Sequence, residues 1–157
     1  MSSDQSPITE AQQKPVTIML VEDNQAHAEL TMRSFENGRL AHNIYHFVDG
    51  ETALDFLFRR GPHADPEQSP RPDIILLDLH LPKVDGVQVL KEIKASVELR
   101  AIPVIILSTS SAERDIAMAY ANYANSYLLK PTDFAGYKEL ISRLEGYWLQ
   151  WNRNLPT

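Results

Sequence analysis

The sequence predicts an α/β protein built on an open, five-stranded parallel sheet with helices on both faces. Short apolar segments alternate strictly with longer amphipathic segments along the chain, which is typical of repeated strand–helix units. The segments at residues 74–77 and 104–107 are apolar without interruption, as in strands that helices bury from both sides. Together these observations predict a doubly wound sheet, for which we expect the common strand order 2-1-3-4-5.

Each predicted strand is followed by one predicted helix. The strands are predicted at residues 16–21, 41–48, 73–78, 102–107 and 127–129. The first three helices are predicted at residues 24–37, 51–59 and around 87–93, where apolar residues recur at helical spacing. Ser110 and Glu113 have the spacing of a capping box that would open the fourth helix, and Asp133 would open the fifth. Residues 61–72 contain four prolines and should form an irregular, exposed loop.

Composition restricts the class of protein. With 157 residues the chain has room for one ordinary domain, predicted at residues 15–150 between a flexible tail at 1–14 and a short tail at 151–157. The absence of cysteine excludes disulfides, thiolate metal sites and cysteine nucleophiles. The net charge of −6, with scattered basic residues, argues against nucleic-acid binding. Apolar segments are far shorter than the ~20 residues that span a bilayer, so we expect no membrane association and a cytoplasmic location.

Polar side chains follow four of the predicted strands. Glu22 and Asp23 follow the first strand, Asp78 ends the third, Ser108 the fourth and Lys130 the fifth. Ligands of doubly wound sheets bind at the carboxyl ends of the strands, so these groups should meet in one crevice. Two carboxylates ~4 Å apart repel by about 4 kcal/mol at an effective dielectric of about 20, and a hard divalent cation such as Mg²⁺ relieves that repulsion. A metal, a carboxylate nucleophile and an ammonium are the parts that phosphoryl transfer requires.

Each of these residues also has an ordinary structural explanation. A lone aspartate at a strand end is more often a turn or capping residue, and Glu22, Asp23 and Asn24 could simply cap the first helix. Ser108 could be one more hydroxyl of a polar loop, and Lys130 could belong to a turn. The coincidence of such groups at four separate strand ends is what favours phosphate chemistry.

The same residues carry a resemblance to the receiver domains of two-component response regulators. The chain resembles that family over roughly residues 16–144, in motifs with the family's order and spacing: Val21-Glu22-Asp23-Asn24, Leu77-Asp78-Leu79-His80-Leu81-Pro82 with Asp85-Gly86, Leu107-Ser108 and Lys130-Pro131. The resemblance implies a flavodoxin-like receiver fold, Mg²⁺ as the cofactor, and a sensor histidine kinase as the partner that donates a phosphoryl group. It implies a phosphoacceptor that assists its own phosphorylation and dephosphorylation rather than an enzyme.

The resemblance also implies a role for each site residue. Asp78 would accept the phosphoryl group and Lys130 would bind it. Ser108 would be the switch hydroxyl, and Tyr127 stands where receivers place an aromatic switch residue. On phosphorylation Ser108 would be drawn toward the phosphoryl group, and Tyr127 would move into the vacated space.

The implied metal ligands are Asp23, Asp78 and the main-chain carbonyl of His80, with Glu22 contributing mostly through water. The chain departs mildly from the family's pattern, with Glu22 where many receivers have Asp and Ser108 where many have Thr, and both changes keep the chemical group. His80 lies two residues after the acceptor, where a side chain can overhang the phosphoryl group and affect its hydrolysis. The alternative is that His80 is an exposed loop histidine.

A closer resemblance concerns one subgroup of the family. The proline-rich loop before the third strand and three short segments are similar to parts of the stand-alone response regulators that partner bacterial phytochromes: Leu107-Ser108-Thr109-Ser110, Tyr147-Trp148-Leu149 and Leu155-Pro156. This resemblance implies a phytochrome as the kinase. The output would then be a partner protein or onward phosphotransfer.

Three rival functions use similar residues or the same fold. A Mg²⁺-dependent aspartyl-phosphate phosphohydrolase would need a second aspartate two residues after the nucleophile, where this chain has His80, and a cap domain. A pseudo-receiver used only as a binding module would lack the acceptor, a metal-binding acid or the lysine, and all are present. A flavodoxin-like cofactor binder would need a phosphate-cradling loop after the first strand, where Glu22 and Asp23 would instead repel phosphate.

Aromatic residues near the end of the chain predict an assembly. Tyr147, Trp148 and Trp151 exceed what one helix must bury, and the fourth helix adds Met118 and Tyr120. We expect a symmetric homodimer through the face formed by helix 4, strand 5 and helix 5. The alternative is that these side chains fold back onto their own domain.

Overall fold

The computed structural model describes residues 14–150, with side chains described up to Tyr147. Within this range the fold has five parallel strands in the order β2-β1-β3-β4-β5 and five α-helices, which confirms the predicted fold class and strand order. The predicted tails lie outside the described residues, except for Lys14. The elements in chain order are β1 (Val16–Val21), α1 (Gln25–Glu36), β2 (His42–Phe47), α2 (Gly50–Leu57), a 3-10 turn (Gly61–His63), β3 (Ile74–Leu77), α3 (Gly86–Ala95), β4 (Val104–Ser108), α4 (Glu113–Ala121), β5 (Ser126–Leu129) and α5 (Phe134–Gln150).

The two faces of the sheet carry separate apolar cores. On β1, Met19 and Val21 point to one face, and Ile18 and Leu20 point to the other, as the two-residue period of a strand requires. The first pair packs with buried residues of α2, α3 and α4, and the second pair packs with buried residues of α1 and α5. The central strands β3 and β4 are buried along their whole length. This explains why their sequences are apolar without alternation.

The start of α4 differs from the prediction. The capping box of Ser110 and Glu113 is absent, because Ala112 occupies the N-cap position and makes no side-chain cap. The hydroxyl of Ser110 instead accepts a hydrogen bond from the Ala112 amide at 3.2 Å and donates one to Asp115 Oδ2 at 2.5 Å. The hydroxyl accepts from the Ala112 amide and not from the Glu113 amide, so Ser110 joins the loop to the helix rather than opening the helix.

The proline-rich loop is also more ordered than predicted. Residues Gly61–His63 form one 3-10 turn with Pro62 near its start, a position that tolerates proline because the amide there needs no helical partner. The rest of the loop is irregular, as expected. The predicted opening of the last helix is confirmed, because Asp133 Oδ1 accepts a hydrogen bond from the Gly136 amide at 2.8 Å. No helix within the described range is long and apolar enough to cross a membrane.

Candidate functional site

The register of β1 and β3 places three carboxylates at one edge of the sheet. Val21 pairs with Leu77, and the Asp78 amide donates to the carbonyl of Val21 at 3.1 Å, so the residues that follow the two strands lie side by side. Oxygen atoms of Glu22, Asp23 and Asp78 lie within 4.8 Å of one another. Glu22 and Asp78 are buried, whereas Asp23 is exposed and gives the cluster its opening to solvent.

Lys130 follows the edge strand β5, and its side chain extends across the end of the sheet to the same cluster. Its amide donates to the carbonyl of Ser108 at 2.8 Å, which continues the β4–β5 ladder past the end of β5. Its side chain is only 3% exposed, and Nζ lies 2.6 Å from Glu22 Oε1 and 2.7 Å from Asp78 Oδ2. The structure therefore brings together four of the residues that were singled out in the sequence.

The electrostatics of this cluster are unbalanced. Three carboxylates face one ammonium, so the site has an excess of negative charge. Burial raises the pKa of Glu22 to about 7, the charge of Asp78 adds to the increase, and Lys130 opposes it. Burial alone would lower the pKa of Lys130, but its hydrogen bonds to Asp78 and Glu22 outweigh that effect and the pKa is raised. Lys130 is therefore a fixed cation, whereas the charge of Glu22 is costly.

The chemistry of the donor set fits a hard divalent cation. All three candidate ligands offer oxygen, and the second oxygens of Glu22 and Asp78 accept only main-chain hydrogen bonds, from the amides of Asn24 at 3.2 Å and His80 at 3.3 Å. A divalent cation would offset the excess negative charge that one lysine leaves. Oxygen ligands with access to water suit Mg²⁺ or Mn²⁺ better than a softer metal such as Zn²⁺.

A close contact with α3 fixes the position of the segment that contains Asp78. The Gly86 amide donates to the carbonyl of Leu79 at 2.8 Å, and a Cβ atom at Gly86 would lie 2.1 Å from the carbonyl oxygen of Asp78. Only glycine allows the helix to begin this close to the chain. As a result, the first turn of α3 packs directly against the main chain of Asp78 and Leu79.

Ser108 and Tyr127 lie at the same end of the sheet, in one hydrogen-bonded loop. Ser108 is fully buried, and its Oγ accepts a hydrogen bond from the Ser110 amide at 3.1 Å. The hydroxyl of Tyr127 donates to the carbonyl of Ser110 at 2.7 Å. Ser110 therefore connects the predicted switch hydroxyl to the predicted aromatic switch through its main chain.

His80 is placed at the rim of the site. Its side chain is 66% exposed, and Nε2 lies 3.8 Å from Asp115 Oδ2, which also receives the hydroxyl of Ser110. A contact at this distance between partly exposed groups contributes little stability. The arrangement fits an exposed loop histidine, and it also places the ring within reach of α4.

Two histidines that contact the site were not predicted. His27 Nδ1 lies 3.0 Å from Lys130 Nζ, and the ring of His46 donates through Nε2 to the carbonyl of Glu22 at 2.8 Å. His27 is four residues after Asp23, about one helical turn, which is the signal that could have placed it over the site. For His46, the signal would have been the β1–β2 register, which a sequence alone does not give.

Comparison with known proteins identifies the family. The family model described as "Response regulator receiver domain" matches residues 18–144. The probable methanogenesis regulatory protein FilR2 of Methanothrix harundinacea (strain 6Ac) is 46% identical over 151 residues, which cover 96% of this chain and 94% of that protein.

Two solved structures are similar over most of the chain. The phosphorylated cyanobacterial phytochrome response regulator RcpA superposes with a TM-score of 0.84 at 38% identity, covering 92% of this chain and all of that one. The Mn²⁺-bound form of response regulator Rcp1, a protein of Synechocystis, superposes with a TM-score of 0.81 at 38% identity, covering 91% of this chain and all of that one. The strand ends that carry the acidic cluster and the lysine lie inside the matched region, and this chain belongs to the response regulator receiver domain family.

Proposed function

We propose that this chain accepts a phosphoryl group on Asp78 from the phosphohistidine of a sensor histidine kinase, in the presence of Mg²⁺, and thereby changes its binding to partner proteins. The observation that carries the proposal is the position of Lys130 Nζ, which bridges Asp78 and Glu22 at 2.7 and 2.6 Å beside the exposed carboxylate of Asp23. A buried nucleophile, a fixed cation and an oxygen-only metal site are the parts that phosphoryl transfer needs.

In the proposed reaction an oxygen of Asp78 attacks phosphorus. The O–P bond forms as the P–N bond to the kinase imidazole breaks, and the imidazole leaves with the electron pair and is protonated by solvent. Lys130 donates a hydrogen bond to a phosphoryl oxygen and offsets its negative charge. The support beneath Asp78 from α3 keeps the attacking carboxylate in place during the approach.

Glu22, Asp23 and Asp78 are the residues that would hold the metal, together with the main-chain carbonyl of His80. When bound, Mg²⁺ supplies positive charge that lets an anionic donor approach a carboxylate. Asp23 is exposed and so offers the metal its entry from solvent.

The proposed response to phosphorylation runs through Ser108. Its hydroxyl now accepts a hydrogen bond from the Ser110 amide, and donation to a phosphoryl oxygen would pull the loop after β4 inward. Tyr127 is tied to the same loop through the carbonyl of Ser110, so it would follow. Couplings of this kind are about 1–3 kcal/mol, enough to change the choice of partner.

Labelling with a small phosphodonor tests the acceptor. Wild-type protein incubated with acetyl phosphate and Mg²⁺ should gain one phosphoryl group by intact mass, and Asp78→Asn should gain none, because an amide is a poor nucleophile of nearly the same shape. Asp55→Asn, which removes a carboxylate on α2, is the matched control and should label normally. Labelling of the Asp78 variant at the wild-type rate would rule out this residue as the acceptor.

The metal site has its own test. Mg²⁺ should raise the melting temperature of the wild type, since a ligand that binds only the native state stabilises it, and Asp23→Ala should remove most of that increase. A wild-type melting temperature that does not respond at tens of millimolar Mg²⁺ would remove the metal from the proposal.

The main alternative is an aspartyl-phosphate phosphohydrolase. The two functions differ in stoichiometry, because a receiver takes up one phosphoryl group per chain whereas a phosphohydrolase turns over small substrates. Release of inorganic phosphate from acetyl phosphate or a sugar phosphate in large excess over protein, with a steady rate near 1 s⁻¹ or faster, is about what an enzyme would give. We expect release limited by slow hydrolysis of the phosphorylated chain.

The identity of the kinase is a separate part of the proposal. RcpA is described as a phytochrome response regulator, which supports a phytochrome as the donor, whereas FilR2 is described as a regulator of methanogenesis. A phosphotransfer screen with phytochrome and non-phytochrome kinases distinguishes these. Rapid transfer from a phytochrome kinase supports a phytochrome as the donor. Transfer only from non-phytochrome kinases removes the phytochrome from the proposal.

We also propose a homodimer through the face of α4, β5 and α5. Four apolar or aromatic side chains of this face are exposed: Met118, Tyr120, Leu129 and Tyr147. Light scattering at several concentrations, with and without acetyl phosphate, measures the association. Met118→Asp should weaken it, whereas Val97→Asp, at an exposed apolar residue between α3 and β4, should not. A monomer in both states at tens of micromolar would end this part of the proposal.

A further inference from the structure

The ammonium of Lys130 has three protein acceptors, one for each of its N–H groups. Nζ lies 2.7 Å from Asp78 Oδ2, 2.6 Å from Glu22 Oε1 and 3.0 Å from His27 Nδ1. The side chain is 3% exposed, so water contributes little to its hydrogen bonding. The direction in which this ammonium points is therefore set by three side chains, and His27 is the one with no place in the phosphoryl-transfer chemistry described above.

The contact fixes the chemical state of the histidine. A lysine ammonium has donors and no lone pair, so Nδ1 of His27 must be the acceptor and the ring proton must lie on Nε2. The histidine is thus a neutral acceptor, unlike the two carboxylates. The charged groups that act on it are Lys130, Asp78 and Asp23.

The main chain of α1 holds this acceptor in place. The amide of His27 donates to the N-cap side chain of Asn24 at 3.0 Å, and its carbonyl accepts from the hydroxyl of Thr31 at 3.0 Å. His27 lies in the first turn of α1, one turn after the exposed metal-site candidate Asp23. The main chain of His27 is therefore held by the start of the helix, independently of what is bound at the acid cluster.

This independence matters in the reaction proposed above, on which the inference rests. When Asp78 is phosphorylated its carboxylate becomes an acyl phosphate and loses its own negative charge, and the hydrogen bond that Lys130 donates to it must pass to a phosphoryl oxygen. Glu22 would change its interactions when a metal binds. We infer that His27 is a positioning residue for phosphoryl transfer, because it is the acceptor that stays constant while Lys130 exchanges Asp78 for the phosphoryl group.

Two substitutions separate positioning from helix packing. His27→Ala removes the acceptor, and His27→Asn keeps one, because Oδ1 of asparagine is bonded to Cγ just as Nδ1 of histidine is. We expect His27→Ala to be phosphorylated by acetyl phosphate about tenfold more slowly, which is the effect of losing one hydrogen bond to a charged group. We expect His27→Asn to recover most of that rate. Gln25→Ala, an exposed change in the same helical turn, is the control and should react normally.

Mg²⁺ affinity distinguishes the positioning of Lys130 from a general disturbance of the site. If His27 only orients Lys130, His27→Ala should bind Mg²⁺ within about twofold of the wild type while its phosphorylation slows, because the cation contacts carboxylates and not the lysine. Rates are compared at a temperature at which circular dichroism shows every variant folded, so that loss of stability is not read as loss of positioning.

The outcomes are distinct from those of the proposed function. A wild-type rate for His27→Ala overturns the inference, and so does an equal loss in the Ala and Asn variants or a parallel loss of Mg²⁺ affinity. In each of these cases the wild type is still labelled on Asp78, and the proposed function stands. If the wild type is not labelled at all, it is the proposed function that fails.

Discussion

Glu22→Gln should stabilise this protein in the absence of divalent metal, although it removes the negative charge of a partner of Lys130. Burial, followed by the charge of Asp78, raises the pKa of Glu22 from 4.5 to about 7. In the unfolded chain the carboxyl ionises near 4.5, so stability is lost as the pH rises from there and the loss levels off above 7. At pH 8 the cost amounts to about 3 kcal/mol. Glutamine has the shape of the protonated acid and no charge, so it avoids that cost.

The pH dependence makes this prediction specific. The difference in the free energy of unfolding between Glu22→Gln and the wild type should approach about 3 kcal/mol at pH 8 and fall below about 1 kcal/mol at pH 5, where most of the native carboxyl is protonated. Urea unfolding followed by circular dichroism in EDTA measures both values. Glu36→Gln, which neutralises an exposed carboxylate at the last residue of α1, is the control and should change little at either pH.

Added Mg²⁺ should reduce the stability advantage of Glu22→Gln, because the cation offsets the cost of ionised Glu22, which only the wild type carries. A Glu22→Gln protein that is less stable than the wild type at pH 8 in EDTA would refute this reasoning. It would mean that the ion pair with Lys130 at 2.6 Å outweighs burial and the repulsion from Asp78.

Three further changes test other parts of the structure. Gly86→Ala should lower the melting temperature by several degrees, since its Cβ would meet the Asp78 carbonyl at 2.1 Å. Gly146→Ala, with open space around it, is the control and should be neutral or stabilising by about 1 kcal/mol. Equal effects of the two substitutions would contradict the close contact. Tyr127→Phe loses the 2.7 Å hydrogen bond to the loop after β4 and should cost about 1 kcal/mol in urea unfolding; no loss would mean that the bond is not formed in solution. Lys94→Met removes the side-chain donor of the Arg100 and Ile102 carbonyls and one of the two donors of Asn125 Oδ1, and it should cost about 2 kcal/mol by the same measurement; a neutral result would show that water replaces the ammonium.

Much of the site could be predicted because its residues follow strands directly. Uninterrupted apolar segments locate β3 and β4, and in a parallel sheet their ends must meet at one edge. Asp78 and Ser108 are therefore placed by the sheet itself, and the residues that precede them fix their position to within a residue or two. Lys130 is placed in the same way by the shorter segment of β5. The same logic placed Glu22 and Asp23 at the end of β1.

The contacts that were not predicted depend on where helices and loops lie. His27 lies four residues after Asp23, which places it near the site, but its contact with Lys130 depends on how α1 packs against the sheet, and no periodicity encodes that packing. The capping box at Ser110 was wrong for a related reason. Its spacing from Glu113 matches the capping pattern, but the path of the loop takes the hydroxyl to the Asp115 carboxylate, and tertiary structure determines that path.

The uneven burial of the strands has a consequence for local opening. Every residue of β3 and β4 is buried, whereas β5 is half-buried and ends at the exposed Leu129, and Ala119 is the fully buried residue of α4. Backbone amides in the two central strands should therefore exchange with solvent deuterium only through unfolding of the whole domain, while those of α4 and β5 exchange through smaller excursions of lower free energy. Asp78 follows the part of the sheet that should be slowest to open, and the neighbouring unit of α4 and β5 should be able to rearrange without disturbing it.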